Sequence, residues 1–82
     1  MQIEGTIQHR NRMGTQMFLR VRTEQGEEPL LSFKEDKVSN YSKLRYLNLG
    51  DRIQVEGEPN IYVRLGGYFR VRSFTILNEV PQ

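Results

Sequence analysis

The chain has no cysteine and no tryptophan, and His9 is its only histidine. Without cysteine there is no disulfide, no thiolate ligand and no thiolate nucleophile. A lone histidine with no second ligand at a suitable spacing does not make a metal site. No phosphate-cradling P-loop and no nucleophile elbow occurs in the sequence. Glu27 and Glu28 are adjacent, so on a strand they face opposite ways and do not form an acid–base pair. The expectation is a protein with no catalytic centre, no cofactor and no small-molecule substrate. Long apolar runs are missing too, and nothing approaches the roughly 20 residues of a bilayer span. Met1-Gln2-Ile3-Glu4-Gly5 has neither the basic nor the apolar region of a secretory signal. A cytoplasmic location follows as an expectation, and 82 residues suit a single domain, 1–82.

Lysine is scarce, with three against nine arginines, and the net charge is only +2. That balance alone does not indicate nucleic acid. Arginine, however, stacks on bases and forks onto phosphates, whereas lysine acts as a point charge. The charges are also segregated. Glu24, Glu27, Glu28, Glu35 and Asp36 crowd one stretch, while Arg64, Arg70 and Arg72 fall in a stretch with no acid between Pro59 and Asn78.

Most of the chain alternates with a period of two, the mark of half-buried strands. Ile3, Gly5 and Ile7 share one side of a first strand over Gln2 to Arg10, and Asn11 to Thr15 reads as a turn. Met17, Leu19 and Val21 face one side of a second strand, with Phe18, Arg20 and Arg22 on the other. A third strand runs from Pro29 to Phe33. Val38, Tyr41, Leu44 and Leu47 then recur every third residue, as on one stripe of a short helix, with Asp36 or Ser39 as its cap and Gly50 just past its end. Ile53 and Val55 point inward from a fourth strand. Ile61 to Arg64 and Tyr68 to Leu77 are two further arms around Leu65-Gly66-Gly67. Phe69 and Val71 keep one parity and Phe74 and Ile76 the other, so a β-bulge near Ser73 is required if both pairs face the core. So small a domain buries only about two-thirds of its unfolded surface, and closing the sheet also removes its vulnerable edges.

Four stretches carry a family resemblance: Glu4-Gly5-Thr6-Ile7, Phe18-Leu19-Arg20-Val21-Arg22 with Gln25-Gly26, Leu49-Gly50-Asp51-Arg52-Ile53-Gln54-Val55-Glu56-Gly57, and Ser73-Phe74-Thr75-Ile76-Leu77-Asn78. Together they resemble the OB-fold, and are similar to single-stranded DNA-binding proteins and to the anticodon-binding domains of class II aminoacyl-tRNA synthetases. The resemblance implies an all-β protein, a five-stranded Greek-key barrel with one helix between strands 3 and 4. It also implies a ligand surface on strands 2 and 3, flanked by the loops joining strands 1–2 and 4–5.

Single strands are held by a basic groove with aromatic platforms. Phe18 with Arg20 and Arg22 supplies one such combination, and Lys34 extends it from strand 3. Arg10 and Arg12 are placed for phosphate contacts from the strand 1–2 connection. Tyr62, Arg64, Tyr68, Arg70 and Arg72 share one parity if the turn at Gly66-Gly67 is tight, giving rings for bases and guanidiniums for phosphates. The expected partner is single-stranded nucleic acid, DNA ahead of RNA, and self-association is expected because one domain covers only about 4–16 nucleotides. The competing reading is a protein-interaction or assembly module that docks a partner through the same aromatics.

Overall fold

The computed structural model describes residues 1–60 and 67–77. The alternating segments become β1 (Gln2–Met13), β2 (Gln16–Arg22), β3 (Leu30–Lys34), β4 (Arg52–Asn60) and β5 (Tyr68–Ile76), with a 3₁₀ helix at Tyr41–Tyr46 between β3 and β4. They close in the order β1-β2-β3-β5-β4. Neighbours are antiparallel except at the short parallel seam, where Leu31 stands beside Phe69 and Ser32 beside Arg70. The expected arm at Ile61 to Arg64 and the end of the chain from Asn78 lie outside the described residues.

Every inward parity read from the sequence reaches the interior. Leu19, Val21, Leu31, Phe33, Ile53 and Val55 are buried from β2, β3 and β4, and Val38, Leu44 and Leu47 pack against them from the helical connection. Phe74 meets Phe33 edge-on with centroids 5.7 Å apart, a favoured arrangement for aromatic quadrupoles. The bulge is present. Ser73 pairs with Glu56 and Val71 with Gly57, leaving Arg72 as the extra residue, so Phe69, Val71, Phe74 and Ile76 all turn toward the core.

Gly57 sits where the bulged strand crosses closest. A Cβ there would lie 1.9 Å from the Arg70 carbonyl oxygen, so the backbone approach requires glycine. Gly5 is the milder counterpart on β1, where a Cβ would come 2.8 Å from the Arg22 carbonyl.

Three local expectations are corrected. The helix begins at Asn40, whose φ of 62° is left-handed and whose side chain makes no capping bond, rather than at Asp36 or Ser39. Its three-residue spacing is the reason it is a 3₁₀ helix, with three residues per turn and side chains at i and i+3 aligned. Gly50 does not cap it. With φ of +93° it shapes the entry to β4, where its N–H donates to the Ile7 carbonyl at 2.8 Å. Lastly, β1 runs on to Met13, which pairs with Gln16. The turn is therefore a two-residue hairpin loop, and Arg12 lies within the ladder.

The Tyr41 hydroxyl is buried and has no hydrogen-bond partner among the described residues. An unpaired buried hydroxyl costs about 1–3 kcal/mol. Tyr41→Phe is therefore expected to raise stability by about 1 kcal/mol, read as a rise of about 4–8 °C in Tm for a domain of this size. An unchanged or lower Tm would show that the hydroxyl is hydrated.

Candidate nucleic-acid interface

Pairing across the sheet carries one row of side chains over all five strands. Asn11 pairs with Phe18, Phe18 with Ser32, Ser32 with Arg70 and Arg70 with Glu58. Residues paired across strands share a face, so Phe18 and Arg70 belong to one outer surface with Ser32 between them. A parallel row holds His9, Arg20 and Leu30, and another holds Met13, Gln16 and Lys34. Phe18 is half-buried between these two rows, whose members are polar except for Leu30 and Met13. Ser32 is 3% exposed, and its hydroxyl accepts from Gln16 Nε2 at 2.7 Å, which fixes the floor between Phe18 and Arg70.

The face receives only part of the predicted set. Phe18, Arg20, Lys34 and Arg70 come together on it. Tyr68 stands two residues before Arg70 and shares its side of β5; its hydroxyl accepts from Asn60 Nδ2 at 2.7 Å. Tyr62 and Arg64 lie outside the described residues. Arg10 and Arg12 are carried elsewhere. A register shift between Ile7 and His9 reverses the parity of β1, pairing Arg10 with Leu19 and Arg12 with Met17, on the opposite side from Phe18. Arg10 donates to the Leu47 carbonyl and Arg12 to the Gly14 carbonyl. Arg22 is at the far end of β2, held by Glu28 through Nε at 3.0 Å and Nη2 at 2.5 Å.

Which cations lack an internal acceptor is more informative than how many there are. Arg10, Arg12, Arg20, Arg22, Arg45 and Arg52 each donate to a carbonyl or carboxylate of the chain. Among the described residues, Arg70, Arg72, Lys34, Lys37 and Lys43 have no side-chain bond or ion pair. Four of these five line a single cleft of about 220 Å³ at the β3–β5 seam, with Ser32, Glu58 and Val71. A larger depression lies at the other end of the barrel, but its two arginines, Arg22 and Arg52, are already neutralised by Glu28 and Glu4. Uncompensated positive charge thus adjoins the Phe18 face and not the larger hollow.

Sequence reading missed Asn11, Gln16, Lys37 and Glu58. Gln16 and Glu58 are on the outward parity of their strands and could have been found from the alternation. Asn11 was hidden by the reversal in β1. Lys37 follows β3 in a turn, which the bond from Ser39 N–H to the Arg72 carbonyl, 3.2 Å, ties to β5. Among the described residues no three His, Asp or Glu side chains gather as a metal site.

No protein-family model matches the sequence, and neither does any curated protein. Solved structures do. A chain of the Stn1–Ten1 complex of S. pombe superposes with a TM-score of 0.82 at 23% identity, over 95% of this chain and 57% of that one. Asparaginyl-tRNA synthetase from Pyrococcus horikoshii, complexed with asparaginyl-adenylate, gives 0.84 at 20% identity, over 96% of this chain and 19% of the synthetase. The OBody NL8, bound to hen egg-white lysozyme, gives 0.79 at 16% identity, over 100% and 98% of the two chains. This chain thus spans little more than half of the first of these and about a fifth of the second. A closed barrel in the order 1-2-3-5-4, a short helix between its third and fourth strands and superposition over nearly the whole length identify the chain as an OB-fold.

Proposed function

We propose that the chain binds single-stranded nucleic acid, as a non-catalytic module, on the face formed by β2, β3 and the start of β5. The observation that carries this is the row Phe18–Ser32–Arg70, which sets an aromatic ring on one surface with a guanidinium and further cations that have no ion pair among the described residues. A ring offers a base its π-face, and guanidinium or ammonium groups offer a phosphate its counter-charge. Phe18 and Arg20 at one end and Lys34 and Arg70 at the other give the strand both. The similarity to a tRNA synthetase supports the reading from the side of the fold. DNA is placed ahead of RNA as the strand to test first.

A second reading is assembly with another protein. Met13, Tyr46 and Leu49 are large apolar side chains left exposed, and the similar structures include chains in complex with protein. Salt separates the two. Release of counterions makes log affinity fall linearly with log salt, by about 0.7 per neutralised phosphate of a single strand. Arg70→Ala is expected to lessen that slope by about 0.7, while Arg52→Gln, on a paired arginine away from the face, leaves it unchanged. Fluorescence anisotropy of a labelled oligonucleotide with hydroxyl groups at both ends, titrated with salt, makes the measurement. A flat salt response in the unaltered protein would favour the assembly reading.

A further inference from the structure

We infer that the cleft at the β3–β5 seam is a seat for a single phosphate monoester, so that the protein holds the phosphorylated end of a strand. The strand is taken from the reading above; the anion seat stands on its own geometry. Beyond the pair Ser32–Arg70 the two strands have no further ladder pairs. The connection after β3 then turns back, Lys37 and Val38 N–H both donating to the Lys34 carbonyl, and Ser39 N–H reaches the Arg72 carbonyl at 3.2 Å. The last ladder pair and this backbone bond bracket the cleft, and buried Val71 is part of its lining. The cleft, of about 220 Å³, has room for a phosphate group.

The charges fit the same ligand. Among the described residues, those lining the cleft include Lys34, Lys37, Arg70 and Arg72 with one acid, Glu58, an excess of three positive charges. A diester brings one negative charge, whereas a phosphate monoester brings about −1.5 to −2 near pH 7 and three acceptor oxygens. Arg72 is there because the β5 bulge makes it the unpaired residue of the ladder. Lys37 is there because of the turn. Neither is needed to track a strand along β2 and β3, and both are explained by a terminal group.

The test uses the full chain and three oligonucleotides of one sequence, carrying a 5′-phosphate, a 3′-phosphate or hydroxyls at both ends. One phosphorylated strand is expected to bind at least about tenfold more tightly than the hydroxyl-ended strand, the worth of one charge-assisted hydrogen bond. In the double variant Lys37→Gln, Arg72→Gln that ratio should fall to about one, whatever the affinity for the plain strand, by the same accounting. Equal binding of all three strands by the unaltered protein, or a ratio that survives in the variant, overturns the proposal. If no strand binds, inorganic phosphate followed by amide NMR decides. Shifts at Lys37 and Arg72 that vanish in the variant keep the seat and remove the nucleic-acid reading; no shifts remove both.

Discussion

Phe18→Ala is expected to weaken binding of a single-stranded oligonucleotide by about 5- to 150-fold, the equivalent of the roughly 1–3 kcal/mol that one base–aromatic stack contributes. The salt slope should stay where it was, because no phosphate contact is removed. Phe18 is half-buried, so part of its role is to cover the sheet between Asn11 and Ser32. Phe18→Leu separates the two roles. Leucine keeps most of the apolar cover but has no π-face, so it should retain the melting temperature and lose affinity. Phe18→Tyr should retain both. Affinity in Phe18→Leu equal to that of the unaltered protein would remove stacking from the account and leave Phe18 as a covering residue only.

The largest effect on stability is expected at Gly57. A Cβ 1.9 Å from the Arg70 carbonyl oxygen overlaps backbone, which no rotamer change can relieve. β4 and β5 must separate at the bulge, and with them the phase change that turns both Phe69–Val71 and Phe74–Ile76 inward. Gly57→Ala should cost about 3 kcal/mol or more, at or beyond the upper range for overpacking. A domain of this length has roughly 4–12 kcal/mol in all, so the variant should be largely unfolded at modest urea. Gly26→Ala is the useful comparison. Gly26 has φ of +85° but open space around it, so alanine there should cost about 1–2 kcal/mol for the left-handed backbone alone. Similar urea midpoints for the two variants would mean that the strands at Gly57 are farther apart than described.

The variants proposed for binding and for stability act on different parts of the barrel. Phe18 and Arg70 point away from the interior, and Gly57 faces a neighbouring backbone. A loss of binding in Phe18→Ala with normal melting is thus attributable to the face itself. The same logic applies to Tyr41→Phe, whose hydroxyl is buried on the opposite side of the sheet from Phe18 and should leave oligonucleotide affinity alone.

Alternation was the strongest signal in the sequence, and it was read correctly wherever the ladder is regular. Leu19 and Val21, Leu31 and Phe33, Ile53 and Val55 each declare their side because the pleat has a period of two and one face must leave water. The bulge in β5 was legible for the same reason: Phe69–Val71 and Phe74–Ile76 could not both face inward on a regular strand. The bulge in β1 was not. From Gln8 to Arg12 the residues are polar on both parities, so a reversal there changes no hydrophobic pattern, and Arg10 and Arg12 are accordingly turned to the Leu47 and Gly14 carbonyls. The helix type was visible in hindsight in the strict three-residue spacing, since an α-helical stripe mixes threes with fours.

By itself, then, the sequence determined the strands, their inward residues, the closing of the sheet and the presence of Phe18 and Arg70 on outward parities. These are properties of local periodicity, and burial of apolar surface acts on them residue by residue. Which cations stay unpaired was decided by the tertiary structure alone. Arg22 is neutralised by Glu28 across a loop, Arg10 is drawn to a helix end 37 positions away in the chain, and Lys37 reaches β5 only because a turn folds back on it. Pairing of charges depends on distances between segments remote in sequence, and only closure of the barrel sets those distances.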